Sequence, residues 1–251
     1  IFIVIFYFFS NYVFARDTGQ TEITTEEGIE VYQKEKYYLL KKNVIIKSDN
    51  FNLTADNVKA YFEKDLYDII DIHSKGKVIL ISNKGIEAKG DKIDFNIKNE
   101  NILIEGKNSF LNNKNFEMKS DELIKVDNIS GKFKLTGINS QITTSDTIII
   151  GHDIDGNYLN IDGENVVQKL HVEDKTQVNI KTDKLNMFSL KADFDRENDI
   201  IELFDNVKIF KGEELITGDY ARINTIDDSY SITSNKTKKV TAILKRTDTD
   251  E

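Results

Sequence analysis

The stretch DNVKIFKGEELITGDYARIN, residues 205–224, reads as two short strands on either side of a polar turn. Apolar residues alternate with polar ones in both halves, as Ala221 and Ile223 do in the second, which is typical of a strand with one buried face. A looser copy, KNVIIKSDNFNLTADNVKAYF, occupies residues 42–62. Because a lone hairpin cannot bury its apolar face in water, the repetition predicts an array of such units stacked on one another.

An aspartate follows most of the polar turns and marks the repeat. The six markers are Asp56, Asp91, Asp121, Asp146, Asp183 and Asp219. In most copies the second and fourth residues after the marker are apolar, as Ile148 and Ile150 are; the Asp121 copy is irregular because Lys125 breaks this phase. We expect each aspartate to start the returning strand by hydrogen-bonding nearby backbone, which is a common role for aspartate beside turns.

The alternating pattern also predicts which side chains point inward. The absence of proline agrees with long uninterrupted strand ladders, since proline cannot donate to a ladder. We therefore predict an all-β protein whose inward residues form one continuous apolar trough. The candidate inward residues are Val44, Ile46, Val58, Ala60, Phe62, Val78, Leu80, Ile93, Phe95, Ile97, Leu185, Met187, Val207, Ile209, Ala221 and Ile223.

Composition limits the classes of function. The 251 residues are 39% hydrophobic and 31% charged, which is typical of a globular protein. A formal net charge of -9 and a pI near 5.0 argue against a nucleic-acid partner, which needs a basic face. The chain has no cysteine, which excludes disulfides, thiol catalysis and zinc-thiolate sites. A short basic cluster is interpreted as a solvated tail; its members are Lys236, Lys238, Lys239, Lys245 and Arg246.

The sequence nominates no catalytic residue, metal ligand or cofactor site. His73, His152 and His171 form no HExxH pair, and there is no glycine-rich phosphate loop. The stretch DIDGN, residues 153–157, places two carboxylates before a glycine but lacks the distal glutamate of a calcium loop. We interpret its Asp-Gly pair as a hairpin turn. The prediction is a protein that is not an enzyme.

The first residues favour export from the cytoplasm. The unbroken apolar run IFIVIFYFF is followed by Val13 and Ala15, which stand at the -3 and -1 positions of a signal-peptidase site. The run is too short to span a bilayer. We expect residues 1–15 to be a signal peptide and residues 16–251 to form one repeat-built domain, with the clearest repeats in residues 20–130 and 175–245.

Both copies of the repeat resemble the hallmark unit GNV.V..G...L.AD...Y of the LptA/OstA family of lipopolysaccharide-transport proteins. The resemblance is clearest in residues 42–62 and 205–224, weaker in residues 76–97, and weakest in residues 110–174. Two departures stand out, because the glycine that usually precedes the Asn-Val pair is replaced here by Lys42 and by Asp205.

The resemblance implies a β-jellyroll folded like a taco in the periplasm of a Gram-negative cell. Its apolar interior would hold the lipid A acyl chains of lipopolysaccharide, and its partners would be the inner-membrane and outer-membrane Lpt components. Protomers of the family join end to end, so we expect a homo-oligomer formed through the terminal strands. These are residues 28–33 and 239–244, whose outer edges would otherwise leave backbone groups unpaired.

Three other hypotheses remain open at this stage. In an LptC-like protein, residues 1–15 would stay as a membrane anchor and the same fold would accept lipid at the inner membrane. In a β-solenoid adhesin, the interior would be packed shut and the outer face would bind a partner. A solenoid enzyme would need carboxylates or bases clustered in one groove, which the sequence does not show.

Overall fold

A computed structural model describes residues 19–64, 68–235 and 239–244. Within those ranges the chain forms eighteen β-strands and no helix, so the prediction of an all-β protein is confirmed. The proposed signal peptide and Lys236, Lys238, Lys245 and Arg246 lie outside the described residues. The strands are β1 Glu22–Thr24, β2 Gly28–Tyr32, β3 Tyr37–Lys47, β4 Phe51–Phe62, β5 Ile69–Ser82, β6 Ile86–Asn96, β7 Ile102–Glu105, β8 Ser109–Asn113, β9 Phe116–Ser120, β10 Leu123–Asp127, β11 Lys132–Thr143, β12 Thr147–Ile161, β13 Glu164–Thr182, β14 Asn186–Asp195, β15 Ile200–Lys211, β16 Glu214–Asn224, β17 Tyr230–Thr233 and β18 Thr241–Ile243.

The strands form an antiparallel meander in which each strand bends once. Ten strands, β3 to β6 and β11 to β16, run through the bend unbroken. Four pairs, β1 with β2, β7 with β8, β9 with β10 and β17 with β18, each act as one bent strand interrupted there. The described chain is therefore a stack of fourteen bent strands.

The bend divides the sheet into two leaves that face each other. Leaf A contains β1, β8, β9, β18 and one half of every unbroken strand, and leaf B contains β2, β7, β10, β17 and the other halves. We call the line of bends the spine, and the opposite side, where the hairpin turns of the two leaves face each other, the slot. A single hydrophobic core fills the space between the leaves.

Left-handed backbone conformations produce the bend in several strands. The register of β3 against β4 shifts between Lys41 and Val44, and the two residues between them have positive φ angles of 64° at Lys42 and 48° at Asn43. In β15 the equivalent pair, Asp205 and Asn206, has φ angles of 65° and 55°. Asn and Asp tolerate this region better than most residues do. Lys42 and Asp205 stand where the LptA/OstA unit carries glycine, which adopts these angles without strain.

Aspartates occupy the spine of the alternate strands. Asp56, Asp91 and Asp219 lie inside β4, β6 and β16, so the expectation that each one starts a strand is wrong. Their side chains do bond nearby backbone: Asp91 Oδ2 accepts the N–H of Lys107 at 3.2 Å. Asp219 Oδ2 likewise accepts the N–H of Asn235 at 3.1 Å. The bonded backbone belongs to the next bent strand, so these carboxylates connect neighbouring strands at the spine.

The Asp56 carboxylate has a different neighbour. It lies against Gly76, whose φ is +80° and whose added Cβ would come within 2.2 Å of Asp56 Oδ2. A side chain at residue 76 would therefore displace the carboxylate as well as strain the backbone.

The other three markers lie between strands, and each precedes the start of one: β10, β12 and β14. Asp146 and Asp183 lie in hairpin turns, between β11 and β12 and between β13 and β14. Ile148 and Ile150 point outward and Ile149 is buried, so the predicted phase is wrong by one residue after Asp146. After Asp183 the phase holds, because Leu185 and Met187 are both buried. Asp121 lies at the spine, between β9 and β10.

The stretch DIDGN is likewise not a turn. Residues 153–157 lie within β12, and Asp155 pairs with Lys134 and His171 on the neighbouring strands. Glycine is required at residue 156 because an added Cβ would stand 2.4 Å from Phe133 Cζ and 2.7 Å from the carbonyl oxygen of Lys169. The hairpin interpretation is wrong, because the Asp-Gly pair permits close packing inside the sheet.

Buried serines satisfy backbone carbonyls where the spine breaks the ladder. Ser140 Oγ donates to the carbonyl of Gly137 at 2.9 Å, Ser109 Oγ to that of Gly106 at 2.8 Å, and Ser74 Oγ to that of Ile93 at 2.7 Å. Ser120 and Ser189 make similar bonds. A carbonyl buried without a partner costs free energy, so these hydroxyls help to stabilise the bend.

We predict that Ser140→Ala lowers the free energy of unfolding by about 1–3 kcal/mol, because the buried carbonyl of Gly137 loses its donor. Urea unfolding followed by circular dichroism measures the change. Ser231→Ala, at an exposed position on β17, is the matched control and should change stability by less than about 0.5 kcal/mol. Equal stabilities of the two variants would contradict a role for Ser140 at the spine.

Candidate functional site

The inner face of the two leaves is the most extensive candidate site. All of the predicted inward residues lie on it, and every one except Ile97 is buried. Ile97 is partly buried and packs against the same core. Side chains from the two leaves pack directly against each other from β3 to β16, with Leu40, Ile104 and Leu203 showing no exposed surface. The inner face is therefore apolar along the whole stack and closed in this state.

The inner face is exposed at the ends of the stack. On β2, Ile29 pairs with Leu40 and Val31 with Tyr38, so both point inward, yet they are 47% and 45% exposed. At the other end Ala242 of β18 pairs with Ile216 and is exposed. The inward phase therefore continues into the last strand, and both ends present apolar side chains to solvent.

The slot is closed by different contacts at different levels. Near the N-terminal end the rings of Phe51 and Phe95 meet at 6.3 Å between centroids. Beside them Ser82 Oγ donates to Glu100 Oε1 at 2.5 Å, and Lys84 Nζ lies 3.4 Å from Glu100 Oε2. These contacts join turns of leaf A to a turn of leaf B.

An aromatic cluster closes the middle of the slot. The ring of Phe116 on leaf A lies 6.4 Å from that of Phe133 and 5.4 Å from that of Tyr158, both on leaf B. The Tyr158 hydroxyl donates to Asn128 Oδ1. Burial raises the pKa of Tyr158 to about 12, and the nearby charges of Asp127 and Glu100 add to the shift.

Near the C-terminal end a single ion pair crosses the slot. Lys184 Nζ lies 2.5 Å from Asp228 Oδ2, and this hydrogen bond raises the pKa of Lys184. The sequence patterns did not predict this contact or the others across the slot. The partners are distant along the chain, with 44 residues separating Lys184 from Asp228, and neither follows a motif.

Two cavities open into the slot on either side of the aromatic cluster. One, of about 450 Å³, is lined by Phe95 and Ile97 together with polar turn residues. The other, of about 290 Å³, is lined by Leu185, Met187 and Ile223 together with charged turn residues. Five of the predicted inward residues therefore border the places where the space between the leaves meets solvent.

The polar clusters of the described residues offer little for catalysis. No group of three or more His, Cys, Asp or Glu side chains in that part of the chain is arranged to hold a metal ion. Each histidine bonds an aspartate, in the pairs His73 with Asp94, His152 with Asp153 and His171 with Asp193. The first pair lies on β5 and β6, and the other two lie on β12 to β14. The prediction that the protein is not an enzyme remains a prediction.

A comparison with protein families gives the decisive match. The family model described as LptA/(LptD N-terminal domain) LPS transport protein matches residues 22–132. Residues 22–132 are thus similar to this family of LPS transport proteins. The predicted OstA-like β-jellyroll of stacked antiparallel strands is confirmed, and this family and fold are those of lipopolysaccharide-transport proteins. Beyond residue 132, β11 to β16 continue the same bent meander.

Two further comparisons complete the picture. The crystal structure of LptH, described as the LptA homologous periplasmic component of the lipopolysaccharide transport device from Pseudomonas aeruginosa, matches with a TM-score of 0.44 and 9% identity. The match covers 52% of this chain and 95% of that chain. No curated protein matches the chain in sequence. In the ranges that the structure describes, no helix is long and apolar enough to cross a membrane.

We predict that the Tyr158 hydroxyl ionises only at high pH, with its pKa at about 12. Because this pKa is raised in the folded state, the stabilisation from the neutral hydroxyl is complete below about pH 10 and is lost as the pH rises through about 12. Tyrosinate absorbance of the protein minus that of Tyr158→Phe should show one group titrating near pH 12. A difference curve centred near pH 10 would contradict burial of this hydroxyl.

Proposed function

We propose that the protein binds lipopolysaccharide by its lipid A acyl chains and carries it through the periplasm between the inner and outer membranes. The observation that carries this proposal is the inner face, which is apolar on both leaves and exposed at both ends. The similarity of residues 22–132 to LPS transport proteins supports the choice of lipid. Fourteen strands at a spacing of about 4.8 Å extend this face over roughly 60 Å.

The energetics favour an acyl chain between the leaves. Burying a methylene group is worth about 0.8 kcal/mol, so a chain of about twelve carbons gains on the order of 10 kcal/mol by leaving water. The leaves must separate to admit it, which breaks contacts such as that of Phe51 with Phe95. The chain then touches both leaves, so the inner side chains remain in apolar surroundings. Opening therefore exchanges one set of apolar contacts for another.

The charge distribution agrees with a site that holds acyl chains and leaves the lipid phosphates outside. The protein carries a formal charge of -9, and its inner face has no buried charged side chain among the described residues. A phosphate drawn between the leaves would lose its hydration without gaining a counter-charge there. The phosphates would stay at the slot, in contact with solvent and divalent ions.

The exposed ends fit end-to-end association. Leaf A ends in β1 at one end of the stack and in β18 at the other, and leaf B ends in β2 and β17. A second protomer that adds its β17 and β18 beside β2 and β1 would pair edge strands whose outer sides have no strand partner among the described residues. Each leaf would then continue into the same leaf of the next protomer, and the inner face would be continuous across the junction. Inner-membrane and outer-membrane Lpt components would use the same edges.

The packed interior also agrees with a second function. Because the leaves pack directly together, the array could instead bind a partner with its outer face and admit no lipid. Mass spectrometry of lipid that copurifies from the native envelope separates the two functions. The LptC-like alternative depends on residues 1–15, and N-terminal sequencing of the mature protein tests whether they are removed.

We predict that Phe95→Asp weakens lipopolysaccharide binding at least tenfold, because it places a charge on the inner face beside the slot. Asp94→Ala, on the outer face of the same strand, should change affinity less than twofold. Ile97→Asp, at a partly buried position of the same inward phase, tests the site where Phe95→Asp disturbs folding. Both inward variants must keep the β circular dichroism signal. Normal binding by folded inward variants would show that this strand does not contact the lipid.

We predict that deleting the chain from Lys239 onward shifts the protein towards monomer, because the deletion removes the edge strand β18. Most lipid capacity should remain, since the inner face from β3 to β16 is intact. Analytical ultracentrifugation measures the association, and a lipid-binding assay on the same sample is the control. Unchanged self-association after the deletion, or a full-length protein that stays monomeric at high concentration, would rule out assembly through this edge.

A further inference from the structure

The cavity at the C-terminal part of the slot combines an apolar floor with a charged rim. Leu185 and Met187 of leaf A and Ile201 and Ile223 of leaf B form the floor and belong to the core between the leaves. Phe194 is partly buried beside them and lines the same cavity. The rim carries two cations and four carboxylates: Lys184, Arg196, Asp146, Asp183, Asp199 and Asp228.

Fewer contacts between the described residues of the two leaves cross the slot at this level than at the other two. Further along, Phe51 and Phe95 meet beside the pair of contacts that Glu100 makes with Ser82 and Lys84. The middle is filled by the rings of the aromatic cluster. Here the Lys184–Asp228 pair crosses the slot above a cavity, with side chains 65% and 18% exposed. Lys84 is just as exposed, but the described residues show no ring contact or second hydrogen bond that supports the Lys184–Asp228 pair across the slot. Exposed ion pairs contribute little stability, because water screens them and the long side chains lose entropy.

We infer that this cavity is a lateral portal, where one aliphatic chain of an amphipathic lipid passes from the side of the protein into the space between the leaves. The inference rests on the proposed function. The floor accepts a hydrocarbon chain and the charged rim keeps the polar head of the lipid outside. The volume of about 290 Å³ is close to the lower end of small-ligand pockets, about 300 Å³, and suits one chain rather than a whole lipid.

End-to-end assembly is the reason why a portal at the side would be needed. Stacked protomers cover the ends of the inner face, so a chain that enters or leaves at the side of the stack reaches the interior only through the slot. The Lys184–Asp228 pair then acts as the closure of the portal. Its loss in Asp228→Asn should speed the uptake of a chain about two- to fivefold, which is the range that an exposed ion pair supplies.

Cross-linking tests the portal directly, because the chain has no native cysteine. Lys184→Cys with Asp228→Cys places two thiols across the portal, and Lys84→Cys with Glu100→Cys places two across the slot at the other cavity as the matched control. Each pair is bridged with a short bis-methanethiosulfonate reagent, which a reductant cleaves. Stopped-flow fluorescence then measures the uptake of cis-parinaric acid, an 18-carbon fatty acid that fluoresces in apolar surroundings.

The expected result is uptake at least ten times slower when the portal pair is bridged, recovery after reduction, and less than a twofold change at the control pair. Two outcomes overturn the portal while leaving lipid binding intact. Uptake that no bridge slows means that chains enter at the ends, and uptake that both bridges slow equally means that the leaves separate along the whole slot. If the unbridged protein takes up no fatty acid, the portal is wrong; lipopolysaccharide binding by the same sample then tests the proposed function separately.

Discussion

Every strand of this protein has to bend at the same level, and the rest of the structure depends on that constraint. A strand that stayed straight would hold its two neighbours flat and force the leaves apart. The ladder therefore breaks in register along the spine, and the broken hydrogen bonds need other partners. Buried serine hydroxyls and aspartate carboxylates supply them, as Ser140 does for Gly137 and Asp91 for Lys107. The backbone hydrogen bonds lost at the bend are replaced locally, strand by strand, so each further strand in the stack can be accommodated in the same way.

The surface that stabilises the fold is the surface proposed to carry cargo. Folding brings the apolar phase of leaf A against that of leaf B, and a bound acyl chain would lie between them in place of those contacts. A packed core ordinarily resists opening, because separating its side chains exposes apolar area to water. Here the separation would be filled by hydrocarbon as it forms. The contacts across the slot then decide where opening is easiest, and they differ from strong in the aromatic middle to weak at Lys184 and Asp228.

The middle of the chain shows how far the fold tolerates departures from its repeat. Residues 110–174 match the hallmark unit least, yet β9 to β13 keep the bend, the pairing and the buried inner phase. In β12, glycines at 151 and 156 let Val172 and Phe133 pack against the backbone, so the strand needs no inward side chain at those points. Period-two burial and a break at the spine are kept in this region, although most residues of the hallmark unit are not.

The sequence by itself determined the all-β class, the stacked repeat and the inward phase of most strands, because side chains alternate across a strand with a fixed period of two. It also placed Val58, Phe95 and Met187 on the buried face without knowledge of their partners. Only the tertiary structure decided that Asp56 and Asp91 mark bends and that Asp146 and Asp183 mark turns, since all four follow the same local pattern. The closure of the slot was also beyond the sequence. Its contacts join turns of opposite leaves, such as Lys184 with Asp228, and no local periodicity encodes which turn will face which once the stack has folded over.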